Sequence, residues 1–224
     1  MKILEQLNEE QRKAVEYITG PQMIVAGAGS GKTRVLTFKI AYLIDKGTEP
    51  ETILALTFTN KAAKEMKDRI KSLIGKKADK LWMGTFHSTF ARILRTEAGF
   101  LNYRSNFSIY DREDSVSLVS TVMQSLNINL ENLTPNSAQH KISYLKNQMI
   151  SPEEYSKNFA TTLVDKKFTD VYNEYNKRLY ENNAMDFDDL LLKPIELFNN
   201  NPKILSKYKK QFKYILVDEY QDTN

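Results

Sequence analysis

Residues 26–33 read Ala-Gly-Ala-Gly-Ser-Gly-Lys-Thr, with an apolar run at 22–26 before them and a helical pattern over 33–46 after them. Gly27, Gly29 and Gly31 keep side chains out of a loop whose backbone N–H groups can then all point at one anion. In the segment that follows, Leu36, Ile40, Leu43 and Ile44 share a face, and Gly47 is a natural stop. Strand, glycine loop and helix in that order open a β–α unit. Such units build parallel sheets flanked by helices.

The alternation continues. Residues 53–58 read as a second strand, and Ala62, Met66, Ile70, Leu73 and Ile74 mark an amphipathic helix. Residues 81–85 read as a third strand leading into another helix. Ahead of the loop, Asn8-x-x-Gln11 is a capping-box variant that opens a short helix through Tyr17, and Gly20-Pro21 breaks it. The rhythm changes after about Gly99. Asp111 can cap a helix carrying Val116, Val119, Val122, Met123 and Leu126, and Ser151-Pro152 begins another. Residues 168–180 form a third strong helical pattern, and little strand signal appears before Tyr214. The expected organisation is one α/β domain from 1–100 and 186–224, interrupted by a helical insertion at 101–185. Residues 214–217 then resume the sheet and deliver Asp218 to its carboxyl end, where ligands bind in such folds.

Composition removes several classes of function. The absence of Cys excludes disulfides and thiolate zinc sites, and two His argue against a histidine-rich metal centre. Residues 1–11 lack the apolar core of a signal peptide, and no run is long enough to span a bilayer, so a cytoplasmic setting without a membrane partner is expected. The net charge of +4 hides two basic stretches: eight bases against three acids at 61–80, and five Lys with no acid at 203–213. Charge alone favours solvated helix faces there, although such surfaces attract phosphates at low salt.

In the glycine loop, Lys32 can reach the β- and γ-phosphates of a nucleotide, and the Thr33 hydroxyl can bind Mg²⁺. The strict loop pattern has Gly where this chain has Ala26, which matters little if that position is strand-like. Asp218, after the apolar run Tyr-Ile-Leu-Val, can hold the magnesium through water, and Glu219 is placed to orient and deprotonate the attacking water. Phe58-Thr59-Asn60 and Thr85-Phe86-His87 follow two of the strands, so aromatic rings and small polar groups share one sheet edge, which suits single-stranded nucleic acid.

Taken in order, LNEEQRKAV, AGAGSGKT, LTFTNKAAKEM, GTFHS, MDFDDLL and VDEYQDTN resemble the UvrD/Rep/PcrA DNA helicases of superfamily one along essentially the whole chain. The resemblance implies a RecA-like P-loop motor domain with an inserted all-helical subdomain, using ATP and Mg²⁺. The nucleotide site would comprise Gln11, Ala28, Gly29, Ser30, Gly31, Lys32, Thr33 and Arg34, with Gln11 on the adenine edge and Arg34 stacked on the base. Lys32 and Glu219 would be catalytic, and Thr33 and Asp218 would bear the metal. Gln221 and Asp222 would couple the site to neighbouring motifs. Phe58, Thr59, Asn60, Thr85, Phe86 and His87 would contact single-stranded DNA, with the insertion on duplex DNA at the junction. Asp186, Asp188 and Asp189 would mark the return into the motor domain, in a structural role. The implied activity is 3′-to-5′ translocation driven by ATP hydrolysis.

The family closes its ATP site with a second motor domain absent from residues 1–224. The expectation is therefore a truncated chain that folds and binds nucleotide weakly, without efficient hydrolysis or unwinding. Two alternatives stay open at this point. One is the helicase portion of a recombination helicase–nuclease. The other is a stand-alone, non-catalytic module that binds ATP or DNA.

Overall fold

The computed structural model describes residues 2–27 and 29–223. The chain divides into two compact units, Met1–Thr89 with Lys203–Asn224, and Phe90–Pro202.

In the first unit, α1 (Glu9–Glu16) and α2 (Lys32–Asp45) precede β1 (Ile53–Thr57), α3 (Asn60–Ile74), β2 (Trp82–Thr85) and the start of α4 (Phe86–Glu97). After the second unit, α10 (Pro202–Gln211) leads into β5 (Tyr214–Val217). The strands form a parallel sheet in the order β2-β1-β5, with Ala55 opposite Met83 on one side and Leu216 on the other. All five residues of β1 are buried, as a central strand covered on both faces must be. Ile40, Leu43 and Ile44 of α2 and Met66 and Ile70 of α3 form one core with Ile53, Ala55 and Leu216 of the sheet. A smaller core joins Leu7 and Val15 to Val35 and Phe38, holding α1 on α2.

The run at 22–26, expected as a buried strand, is not one. Residues 21–27 are irregular, and Met23 and Val25 are 73% and 88% exposed. Apolar composition creates a demand for burial, but a strand also needs a neighbour to complete its ladder. Here two lysine side chains reach the segment instead. The Ala26 carbonyl accepts a hydrogen bond from Lys32 Nζ at 3.1 Å, and Gln22 Oε1 accepts one from Lys39 Nζ.

The second unit holds the rest of α4, then β3 (Ser108–Tyr110), α5 (Arg112–Ser125), α6 (Pro135–Asn147), α7 (Pro152–Asn158), α8 (Leu163–Glu181), β4 (Ala184–Asp186) and α9 (Asp189–Asn200). Its core is built from Val119 and Val122 of α5, Ala138, Ile142 and Leu145 of α6, and Phe168, Tyr172 and Tyr175 of α8. Asp111, Thr134, Ser151 and Thr162 each cap a helix by accepting the backbone N–H three residues on. A two-stranded parallel ladder, β3 with β4, adds to the expected helices. Three-residue strands carry too little pattern to be read locally.

The compact units divide at 89/90 and 202/203, whereas the sequence pattern divides the chain at 100/101 and 185/186. At the second break the reason is a buried charge cluster. Lys146 on α6 is 4% exposed and donates to Asp186 Oδ2 at 2.7 Å and Asp189 Oδ1 at 2.9 Å. Asp186 also accepts the Tyr175 hydroxyl at 2.8 Å and the Asp189 N–H at 2.9 Å. This cluster holds the start of α9 to α6.

Candidate nucleotide site and nucleic-acid interface

The glycine loop feeds directly into α2. Gly29 and Gly31 have φ of 77° and 88°, the left-handed region open to glycine. A Cβ on Gly31 would lie 2.8 Å from Gln11 Nε2, the far end of a side chain that can swing aside, so it is the backbone angle that disfavours a side chain there. Gly31 is the N-cap of α2 and offers no side-chain cap, which leaves the first-turn N–H groups free for an anion. Ser30 closes the turn, donating through its N–H to the Gly27 carbonyl at 3.3 Å and through its hydroxyl to the same oxygen at 2.7 Å. The expected contact at Ala28 lies outside the described residues.

Gln11 serves both readings of its motif. Its side-chain oxygen accepts from the Asn8 N–H at 3.3 Å and completes the capping box. Its amide donates to the Ser30 carbonyl at 2.9 Å. One residue thus starts α1 and ties that helix to the phosphate loop. Arg34 donates to the Gln6 carbonyl at 2.7 Å and lies over the Phe38 ring at 5.2 Å.

The acidic motif arrives at the same place from the far end of the chain. The Asp218 N–H extends the sheet ladder by donating to the Leu56 carbonyl at 2.9 Å. Asp218 is 7% exposed. Burial pushes its carboxyl above the ordinary range and the Glu219 charge adds to the rise. The Glu219 N–H, the Lys32 ammonium and the Thr33 hydroxyl pull the other way. Lys32, Thr33 and Asp218 are therefore neighbours, although 185 positions separate Thr33 from Asp218 (218 − 33). Glu219 is exposed and holds a left-handed φ of 50°, an unfavourable conformation for a residue with a Cβ. Gln221 Nε2 donates to its carboxylate at 2.5 Å, and Asp222 is exposed beside it.

A raised carboxyl makes the folded state the tighter proton binder. Its contribution to stability is present below the ordinary carboxylate pKa and is lost as pH rises through the raised value. Asp218→Asn should therefore raise the neutral-pH melting temperature of the nucleotide-free chain by a few degrees. A lower melting temperature would contradict the burial argument.

Because the strands are parallel, the carboxyl ends of β1, β2 and β5 share one edge. Phe58 and Phe86 follow β1 and β2 there, both half-buried, with ring centroids 5.2 Å apart. Thr59 caps α3 by accepting the Ala62 N–H at 3.1 Å, and Asn60 is exposed at that helix's first position. Thr85 is buried and engaged with Ser88 at the start of α4, while His87 is half-buried. The structure thus gathers the two sequence stretches on one edge, with Thr85 the least accessible member.

Lys39 carries no sequence signal as part of this assembly. Its ammonium donates to the carbonyls of Ala14 at 3.1 Å and Tyr17 at 2.5 Å and to the Gln22 side chain, clamping the end of α1 and the approach to the loop onto α2. Burial holds its pKa below the ordinary lysine value. Partners 17 to 25 residues away leave nothing to read locally.

The profile of the UvrD/REP helicase N-terminal domain family matches residues 7–224. Among similar curated proteins, the ATP-dependent DNA helicase PcrA of Bacillus subtilis (strain 168) is 46% identical over 223 residues. The proteins of the same name from Staphylococcus aureus (strain Mu50) and Staphylococcus epidermidis are 46% and 47% identical over 223 residues. Each alignment covers 99% of this chain and 30% of the relative, so the chain spans about a third of the length of the curated relatives it matches.

Proposed function

Since this chain belongs to the UvrD/REP helicase family, in its N-terminal domain, we propose that it is the nucleotide- and DNA-binding part of an ATP-dependent DNA helicase. Hydrolysis of Mg–ATP drives 3′-to-5′ movement on single-stranded DNA. The first unit is the motor domain and the second is the helical insertion at the single-strand/duplex junction. The observation that carries this reading is the meeting of Lys32, Thr33 and Asp218 at the free amino end of α2.

The residues fit the cofactors. The α2 N–H groups and Lys32 receive the phosphates. The Thr33 hydroxyl and the Asp218 carboxylate, near enough to influence one another, offer oxygens to a hard divalent cation. Among the described residues no three His, Cys, Asp or Glu side chains cluster as a metal cage, and a Mg²⁺ held by these two oxygens would take its other ligands from phosphate and water. A Mg²⁺ held by Thr33 and Asp218 would supply positive charge against that developing on the phosphates. Glu219 orients the attacking water and accepts its proton. Gln221, bonded to Glu219, and Asp222 carry the state of the site to neighbouring motifs. Gln11 and Arg34 receive the base, which requires Arg34 to leave the Gln6 carbonyl.

Efficient turnover and unwinding belong to the longer protein, whose second motor domain would close over the γ-phosphate. No helix among the described residues is long and apolar enough to cross a membrane, and the proposed setting is the cytoplasm.

Phe58 tests the DNA half of the proposal. Phe58→Ala should weaken single-strand binding by about 1–3 kcal/mol per stacked base, with nucleotide affinity unchanged. An unaltered dissociation constant for a single-stranded oligonucleotide would leave Phe58 with only its packing role against Phe86.

A further inference from the structure

A parallel sheet has two unlike edges, and the amino edge of this one gathers both basic stretches of the sequence. Lys76, Lys77 and Lys80 immediately precede β2, and Lys209, Lys210 and Lys213 immediately precede β5. More than a hundred residues separate the two runs, yet they border the same structure. The Lys213 N–H donates to the Thr52 carbonyl at the start of β1 at 2.9 Å, and the Trp82 and Phe212 rings meet edge-on at 5.3 Å. Lys76, Lys77 and Lys80, with Gly47, Thr48 and Pro50, line an open cavity of 350 Å³ at this edge.

The acids here do not cancel the charge. Glu51 is occupied by Lys80 at 3.2 Å and Asp79 by Lys71 at 3.6 Å, while Glu49 lies in the cavity wall. Lys76, Lys77, Lys209, Lys210 and Lys213 are exposed and make no ion pair among the described residues. A stable fold gains nothing from holding like charges together. The arrangement does create a positive field that a polyanion would relieve.

We propose that this amino edge is a second nucleic-acid surface, distinct from the nucleotide edge, which takes the phosphate backbone of duplex DNA. The choice of DNA as the polyanion rests on the helicase reading. The choice of duplex rests on the aromatic residues. Single strands are held by open rings on which bases stack. Here Trp82 and Phe212 pack on each other, and Phe212 also stacks on the buried Tyr208 at 6.0 Å. Ammonium groups without a stacking platform suit phosphate contacts, which carry no base preference.

The test measures binding of a short blunt-ended duplex to this chain across a salt series. The variants are Lys76→Gln with Lys77→Gln, Lys209→Gln with Lys210→Gln, and all four together. Each pair should weaken duplex binding and make the slope of log K against log salt shallower by about 0.9 for each phosphate no longer neutralised. The fourfold variant should bind more weakly than either pair. Arg at all four positions should restore binding. Affinities for a single-stranded oligonucleotide and for ATP should not change.

Unchanged duplex binding and slope in the fourfold variant would overturn the proposal. So would a weakening confined to one pair, because the two runs would then not form one surface. If the Gln variants also lose single-strand and ATP binding and Arg does not restore the duplex, the lysines serve the fold and the proposal fails. If the unaltered chain binds no single strand but the lysine effect on duplex persists, the helicase reading fails and this surface stands.

Discussion

Under the proposed function, Lys32→Ala should reduce the ATPase rate of the helicase by about 100–1000-fold or more, the cost of removing a preorganised group from developing negative charge. In this structure its ammonium donates to the Ala26 carbonyl at 3.1 Å and acts on the Asp218 carboxyl. Neither contact is a core contact, and Lys32 is half-buried. The substitution should therefore leave the melting temperature of the nucleotide-free chain almost unchanged while destroying turnover. Single-turnover measurements at saturating ATP separate the chemical step from binding. A variant that hydrolyses ATP at the parent rate would remove Lys32 from the mechanism. A variant that is inactive because it is unfolded would show in the melting curve and would refute the claim that Lys32 is dispensable to the fold.

Lys146→Met should destabilise the helical unit by about 3–5 kcal/mol, because it strands two buried carboxylates that share one cation. Burial alone would lower the Lys146 pKa, but Asp189 and Asp186 outweigh it and hold the ammonium above its ordinary range. The carboxylates differ. Burial tends to raise Asp186, but Lys146, the Asp189 N–H and the Tyr175 hydroxyl bring it below the ordinary value. Burial and the neighbouring Asp186 charge raise Asp189 despite Lys146.

The two carboxylates have opposite linkage signs. The contribution of Asp186 is present above the unfolded carboxylate pKa and is lost as pH falls through its lowered value, whereas that of Asp189 is lost as pH rises through its raised value. The variant should melt more than about 10 °C below the parent at neutral pH. Replacing Lys146, Asp186 and Asp189 together by apolar residues of similar volume should cost less than Lys146→Met alone. A single variant as stable as the parent, or a triple variant worse than the single, would refute the account.

These two lysines also show where sequence reading succeeds and where it stops. The placement of Lys32 at the head of α2 is legible because a glycine loop followed by Lys-Thr and a helical pattern is a local arrangement, set by residues within a few positions of one another. The same holds for the Asn8–Gln11 capping box and for the caps at Asp111 and Ser151, whose partners lie three residues away. The alternation of strand and helix patterns through residue 85 is likewise local, and it matches β1, α3 and β2 within a few residues. Lys146 gives no such signal. In the sequence it is one more basic residue in an amphipathic segment, and its partners are 40 and 43 positions away. Lys39 is obscure for the same reason. The run at 22–26 fails differently: its composition asks for burial, but the ladder that would make it a strand depends on a neighbour that local sequence does not specify.

By itself the sequence determines the strand and helix patterns that become β1, α3, β2 and β5, the glycine loop ahead of α2 and the identity of the acidic pair. Backbone angle, capping and hydrophobic period act over a few residues, and each is written where it acts. Only the tertiary structure decides that Asp218 lies beside Thr33, that α9 is bound to α6 through a buried lysine, and that two distant basic stretches border one sheet edge. Those facts depend on which strands pair and which charges must be buried together. Both are settled by closing the whole chain around its cores.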